Sequence, residues 1–362
     1  MHTVLVTGTT GFVGSALAAS LLARSISVMA LSRNDPDGER TRAAIDAAAK
    51  GFRLDISDAL KSQLSIVNID QDNLSASLDV RALQKVTAAW HFATEMSYSN
   101  RSLTQSFKTN VTGSSELYRL LSIHVPSCHR FYYVSTAYVS RPSESTLKET
   151  LAMDGLYVTP YHASKLTTEF VLYALHGLHR LPLTLFRPTV IVGHEHTGWA
   201  RCNGFGLYML ADAMDAVIRA GLSELTLDIE PGARPDLIPV NRLVDDALVL
   251  TLRTDVARGL EIFHCSGGLG LSFIEIAALF AEAFGVRVSF GAPVTSLDEQ
   301  IGWGLESRKP FMDNEWRFDR SQLDKALKRP HGLPAISLDT LRHLIVWYKS
   351  NLNAGTSSLR LG

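Results

Sequence analysis

The 362-residue chain has little that would suit an extracellular, membrane or nucleic-acid role. Its three cysteines, Cys128, Cys202 and Cys265, lie far apart, without the spacing of a metal site or a disulfide framework. They fit a reducing compartment, and Cys202 is read as a bystander. No uninterrupted apolar stretch reaches the length of a membrane span, so none is expected. The first apolar run begins at the second residue and leaves no room for a signal peptide, so a cytoplasmic protein is expected. A net charge of −1 offers no basic excess for nucleic acid or an anionic membrane. There is no internal repeat and no low-complexity segment. The composition does supply 46% hydrophobic residues, enough for a substantial core.

Strand-like apolar runs at 3–7, 27–32, 65–69, 88–92, 131–135, 183–186 and 261–265 alternate with helical segments such as 103–124 and 161–178. This alternation predicts a parallel sheet covered on both faces. The crossover rule makes it doubly wound, with a ligand crevice at the carboxyl ends of the strands. The span 33–61 is long for one crossover and is expected to hold one or two short helices. Amphipathic segments at 273–284 and 338–352 fall in a less regular C-terminal region. The tail 354–362 is expected to fray.

Between the first strand and the first helix lies Thr7-Gly8-Thr9-Thr10-Gly11-Phe12-Val13-Gly14. Glycines at such a turn hold a dinucleotide pyrophosphate: Gly8 makes the turn, Gly11 lets backbone approach the phosphates, and Gly14 lets the helix pack closely. The spacing is G-x-x-G-x-x-G, a variant of the commoner pattern. Further along, Tyr161-His162-Ala163-Ser164-Lys165 places a tyrosine and a lysine on one helix face. The ammonium would favour the phenolate and bring the phenol's pKa towards a working range for proton transfer. Tyr133-Val134-Ser135-Thr136-Ala137-Tyr138 sets hydroxyls at a strand's carboxyl end, where they meet a substrate oxygen as it gains charge. Each signal alone is modest; all three stand in one order.

With these motifs the chain resembles the extended short-chain dehydrogenase/reductase superfamily, from Met1 to about Leu250. His91-Phe92-Ala93, Asn110-Val111-Thr112-Gly113, Arg187-Pro188-Thr189-Val190-Ile191-Val192-Gly193 and Asp236-Leu237-Ile238-Pro239-Val240 resemble further family motifs. The resemblance implies an α/β, Rossmann-type doubly wound sheet with a smaller C-terminal substrate-binding lobe. Residues 1–193 would bind NAD(P) and carry catalysis. Residues 194–362 would mainly bind substrate, with 236–265 returning to the sheet. It implies Tyr161 as general acid, Lys165 as its tuner and ribose ligand, and Thr136 as the catalytic hydroxyl with Ser135 as runner-up. Asn110 would be structural or part of a proton path. Gly8, Thr10, Gly11, Phe12, Val13, Gly14, Ala93, Pro188 and Val190 would line the cofactor.

Leu31-Ser32-Arg33 ends the second strand with a guanidinium where NAD-preferring members usually carry an acid. Arginine suits the 2′-phosphate, so NADPH is expected rather than NADH, with Arg42 or Arg40 as a second clamp. Asp35 stands by as a ribose ligand if the turn is tight. Asp70 resembles the adenine-contacting aspartate, and Asp55 competes for that role.

The catalytic phrase, the loop Gly193-His194-Glu195-His196-Thr197-Gly198-Trp199 and the following Asn203-Gly204 resemble the fatty acyl-CoA, carboxylic acid and thioester reductase branch. That implies a small acyl or carbonyl substrate, possibly linked to CoA or a carrier protein. Reduction of a free ketone or aldehyde of steroid or flavonoid type is the alternative. An epimerase is weakened by Arg33, and a sugar dehydratase by Ala137-Tyr138 where Asp-Glu is usual. No metal is expected at His194, Glu195 and His196. Phe205, Tyr208, Trp303 and Trp316 are pocket candidates, with core packing the stronger reading for each. Helices 103–124 and 161–178 are the faces a homodimer would use.

Overall fold

The structure, a computed structural model, describes residues 2–70, 73–142, 145–155, 159–202, 206–254, 258–329 and 332–352. The expectations for Asn203, Gly204, Phe205 and 354–362 lie outside them. Strands β1 (Thr3–Thr7), β2 (Ser27–Arg33), β3 (Leu64–Ile69), β4 (Val86–His91), β5 (Phe131–Val134) and β6 (Leu183–Pro188) begin the fold. Three short strands follow: β7 (Val190–Val192), β8 (Glu224–Leu227) and β9 (Leu237–Pro239). Strands β10 (Leu260–Cys265) and β11 (Arg287–Phe290) complete the set. Seven of them form one parallel sheet in the order β10-β6-β5-β4-β1-β2-β3. Strand order reverses between β1 and β4, and that switch point opens a crevice at the strand carboxyl ends.

The period of two along each strand decides which core a side chain joins. Val4, Val6, Val28, Ala30, Trp90 and Tyr132 point to one face. Helix α1 (Phe12–Leu22) covers them with Leu17 and Leu21. Leu5, Met29, Leu31, Ala89, Phe131 and Tyr133 point to the other. There α3 (Ser114–His124) and α4 (Pro160–His179) supply Leu117, Leu121 and Leu172. Strands buried on both faces read as nearly continuous apolar runs, which is why they stand out in the sequence.

The crossover after β2 holds one long helix, α2 (Glu39–Phe52), and a single turn at Ala59–Ser62. It is longer than the short helices expected. Thr41, Ile45, Ala48 and Ala49 form a buried stripe, and its alanines favour helix strongly. The segment expected as one helix over 103–124 contains a π-helical stretch, Phe107–Gly113, before α3. Such wide turns re-aim side chains near functional sites; this one aims Asn110.

A second core gathers α5 (Met209–Arg219), β8, α7 (Phe273–Phe284), α8 (Ser296–Leu305) and α9 (Leu338–Asn351). Ser272 and Glu275 form a capping box at the start of α7, and Gly285, with φ +71°, ends it. Helix α6 (Val240–Leu252) instead packs on α1 in the first core. Strand β10 joins the main sheet beside β6, whereas β9 pairs with β7. No helix among the described residues is long and apolar enough to cross a membrane.

Candidate active site

A cavity of about 550 Å³ lies at the switch point. Its floor is the turn after β1. Gly8 has φ +69°, and a Cβ there would come within 2.8 Å of the Ala93 nitrogen and 2.9 Å of the Phe92 carbonyl carbon. A Cβ on Gly14 would lie 2.4 Å from the Gly8 oxygen. Only glycine permits both approaches. Gly11 N donates to Gly8 O at 2.9 Å and closes the turn. Helix α1 starts here with neither a side-chain cap nor an acidic residue in its first turn. Its free N–H groups and positive dipole end suit an anion, so the cradle fits a dinucleotide pyrophosphate.

Thr10, Gly11, Phe12, Val13, Gly14, Arg33, Ala93, Pro188 and Val190 line this cavity with Gly8. Arg42 does not; its guanidinium donates to Leu60 O at 3.2 Å. Asp70 is exposed beyond β3 and is also off the lining. Arg40 donates to the Asn34 carbonyl at 3.1 Å and so braces the backbone after Arg33. Asp35 is turned away: its carboxylate accepts from Arg40 N, Thr41 N and Thr41 Oγ1 at the start of α2. Exposed Asp55 accepts from Ser57. Arg201, which the sequence reading missed, lines the cavity and donates to the Thr10 carbonyl across 191 residues of chain. Its only sequence signal is its place just after Trp199, which packs on Phe12 and against Gly51.

The reacting groups stand on the opposite wall. Thr159 caps α4, accepting His162 N, and Pro160 occupies the first turn, where a missing N–H matters least. That start sets Tyr161 and Lys165 one turn apart beneath the end of β5. Thr136 hydrogen-bonds the Tyr161 phenol. Lys165 is buried, donates to Val134 O at 2.7 Å, and has its ammonium 5.9 Å from the Tyr161 ring centre. Burial holds the Tyr161 pKa above the ordinary value, and the Thr136 bond opposes it. The lowering expected from Lys165 does not appear: burial sets the direction, and the neighbouring Tyr98 adds to it. Lys165 itself is pushed down to about 7 by burial, with Glu169 opposing. Ser135 also lines the cavity, and its buried hydroxyl has no hydrogen-bond partner among the described residues.

Asn110 lies behind the lining. Its amide nitrogen donates to Glu95 O and Ser164 Oγ, and its oxygen accepts from Thr94 Oγ1 and Glu95 N. Two donors and two lone pairs are thus all used, which makes it a clamp on the loop after β4. His91 ties the same region together. Ser114 Oγ donates to Asn110 O at 2.5 Å, so it must accept from His91 Nε2. Nδ1 is then the acceptor for Thr7 Oγ1, which in turn accepts Ala93 N. Burial keeps this imidazole neutral, its pKa lowered to about 3.

At the far end the wall is aromatic and apolar. Tyr98 stacks on Tyr161 at 5.9 Å, and His162 stacks on Phe311 at 4.3 Å. Met96, Leu305 and Met312 continue this wall. Arg308 places its guanidinium 4.5 Å over the Tyr98 ring. Of the aromatic candidates, Tyr208 lines the cavity, Trp316 is buried behind Tyr138, and Trp303 is 73% exposed on the outside of α8. Glu195 is held by Arg242 and Asn241. Among the described lining residues there is no aspartate or glutamate.

Residues 6–246 match the family model described as male sterility protein, NAD_binding_4. The chain belongs to that family. It is a member of the extended short-chain dehydrogenase/reductase superfamily and an enzyme of that class. Among curated proteins no sequence matches it. The terminal R domain of the myxalamid PKS-NRPS pathway superposes with TM-score 0.76 at 22% identity, over 98% of this chain and 91% of that one. The dTDP-glucose 4,6-dehydratase DesIV of Streptomyces venezuelae, with NAD bound, gives 0.71 at 21%, over 98% and 99%. The UDP-glucuronic acid 4-epimerase of Bacillus cereus, with NAD, gives 0.69 at 16%, over 99% and 100%. At these identities the likeness is one of fold.

The male sterility match contains the glycine turn, Thr136, Tyr161, Lys165 and Arg201. It ends before Leu305, Arg308, Phe311 and Met312, which close the other end of the cavity.

Proposed function

We propose that this chain is an NADPH-dependent reductase that delivers hydride to the carbonyl carbon of an acyl thioester and releases an aldehyde and a thiol. The observation that carries this reading is the cavity lining: it joins the glycine turn to Thr136, Tyr161 and Lys165 and, among the described residues, brings in cations but no carboxylate. Removing water from a sugar calls for further acid and base groups beside the catalytic hydroxyl. Ala137 and Tyr138 stand there instead, and Tyr138 packs its ring among Phe311, Trp316 and Phe318. The family match and the reductase-domain neighbour favour the same branch. Arg33 on the lining, with Asp35 turned into α2, favours a 2′-phosphate over free ribose hydroxyls.

When bound, the nicotinamide supplies the hydride. Thr136 and Tyr161 hold the carbonyl oxygen as charge grows on it. Tyr161 gives that oxygen its proton; the C–S bond then breaks and the proton leaves on the thiol. Lys165, its pKa lowered by burial, stands one helical turn from Tyr161 and returns a proton towards it.

The test is NADPH consumption with acyl thioesters beside matched ketones and aldehydes, with products identified. Thiol and aldehyde released together with NADPH oxidation support the reading. Turnover of ketones or aldehydes alone would overturn it in favour of a carbonyl reductase.

A further inference from the structure

The cavity carries four cationic side chains, Arg33, Lys165, Arg201 and Arg308. The first three border the strand ends and the glycine turn, where a cofactor with several phosphate charges would balance them. Arg308 stands apart, beyond Tyr161 and Tyr98. It is half-buried, and burial lowers its pKa. Its partners among the described residues are the Gly304 carbonyl, at 2.5 Å from Nη1, and the face of Tyr98. No carboxylate among the described residues pairs with it. A guanidinium has five N–H donors, so most of its fork is left for something that enters the cavity. A desolvated, unpaired cation is unfavourable until an anion meets it.

His162 adds a directed donor beside it. Thr159 Oγ1 accepts the His162 backbone N–H and lies 2.7 Å from His162 Nδ1, where its own proton can be donated. That arrangement is the tautomer with the ring proton on Nε2. Burial keeps the imidazole neutral, with its pKa lowered to about 3. Nε2–H has no hydrogen-bond partner among the described residues, and His162 lines the cavity. The Tyr98 ring meets both groups, edge-on to His162 at 5.5 Å and face-on to Arg308.

We propose that the substrate carries an oxyanion, a carboxylate on its acyl part or a phosphate on its thiol part, which Arg308 and the His162 Nε2–H receive beside Tyr161. The inference rests on the reductase reading for the substrate class. It makes the apolar wall a frame for a charged end, so a plain aliphatic thioester is a poor substrate.

Three probes separate the sources: pentanoyl-pantetheine, glutaryl-pantetheine and pentanoyl-4′-phosphopantetheine. One charged probe should exceed the neutral one in kcat/KM by about tenfold or more, the scale of a hydrogen-bonded charge pair. A glutaryl preference places the oxyanion on the acyl part; a phosphopantetheine preference places it on the thiol part. Arg308→Gln should bring that ratio close to one, and Arg308→Lys should keep part of it. Equal kcat/KM for all three probes in the wild type overturns the inference without reference to any variant. So does a ratio that survives Arg308→Gln. Calorimetric binding of glutarate mono-N-methylamide against pentanoic N-methylamide, and of 4′-phosphopantetheine against pantetheine, gives a readout independent of turnover. Charge discrimination in binding with no thioester reduction sinks the reductase reading and keeps the oxyanion site. Reduction without discrimination does the reverse.

Discussion

The two ends of the cavity are built differently. At the cofactor end, backbone does most of the holding: the Gly8 turn, the open start of α1 and the ends of β1, β2 and β4. At the substrate end, side chains do it, and they come from segments that meet only in the folded chain. Tyr98 follows β4, His162 starts α4, and Arg308 and Phe311 lie past α8. Backbone grips suit a ligand common to many enzymes, because they depend on local geometry that a short motif can carry. Side-chain grips can change one residue at a time, so that end is where members of one fold diverge in substrate. The dehydratase and epimerase neighbours match nearly the whole length of this chain, yet the epimerase holds a fluorinated UDP-glucuronic acid and the dehydratase is one named for dTDP-glucose.

The sharpest way to break the comparison is at the junction of the two ends. Tyr161→Phe removes the phenolic hydroxyl and leaves the ring stacked on Tyr98. Turnover should fall by roughly 10²–10⁴-fold, the usual worth of a positioned general acid. NADPH affinity, measured by fluorescence titration, should stay within about twofold, because the phenol lies off the glycine cradle. If cofactor binding collapses with turnover, the ends are not separable and Tyr161 is structural.

The same division explains what could be read from sequence. The seven strands of the main sheet lie within two residues of the apolar runs, because burial on both faces writes an uninterrupted signal. Strands β7, β8, β9 and β11 have only three or four residues, too few for alternation to show. The cofactor end was legible through glycine spacing, while Arg42, offered as a second phosphate clamp, and Asp70, chosen for its place after β3, fall off the lining. Asn110 was legible as a motif but ambiguous in role; four hydrogen bonds make it a clamp. Arg201, Tyr98 and Arg308 carried no periodic or spacing signal. Only the fold brings them to the cavity.

A second test compares two buried cations, one beside each kind of work. Arg187 is fully buried in a bidentate pair with Glu169 and also donates to Thr150 O, a structural arrangement with its charge matched. Lys165 is equally buried but, among the described residues, donates only to the Val134 carbonyl. Its pKa falls from the ordinary 10.5 to about 7. Between those values the unfolded chain binds a proton that the folded chain does not. Stability therefore rises with pH across that window, and below pH 7 the contribution is constant. Cofactor-free wild type, relative to Lys165→Met, should gain roughly 3 kcal/mol of unfolding free energy between pH 7 and 10. Denaturant unfolding at several pH values checks it. A difference that stays flat over that range would mean that Lys165 remains charged and that Val134 O is sufficient company.

The smallest expected effect sharpens the comparison within the cofactor end itself. Arg33 and Arg201 both line it, but Arg201 touches the turn at Thr10 while Arg33 sits at the tip of β2. If Arg33 reads a 2′-phosphate, Arg33→Gln should lower the NADPH-to-NADH ratio of kcat/KM by roughly tenfold, less at high salt because the residue is exposed. Arg201→Gln should weaken both cofactors alike, since a pyrophosphate is common to them. Neither substitution should move the charged-to-neutral substrate ratio set at Arg308. Equal losses for NADPH and NADH in Arg33→Gln would show that this end grips without reading. Cofactor choice would then have to come from elsewhere in the lining.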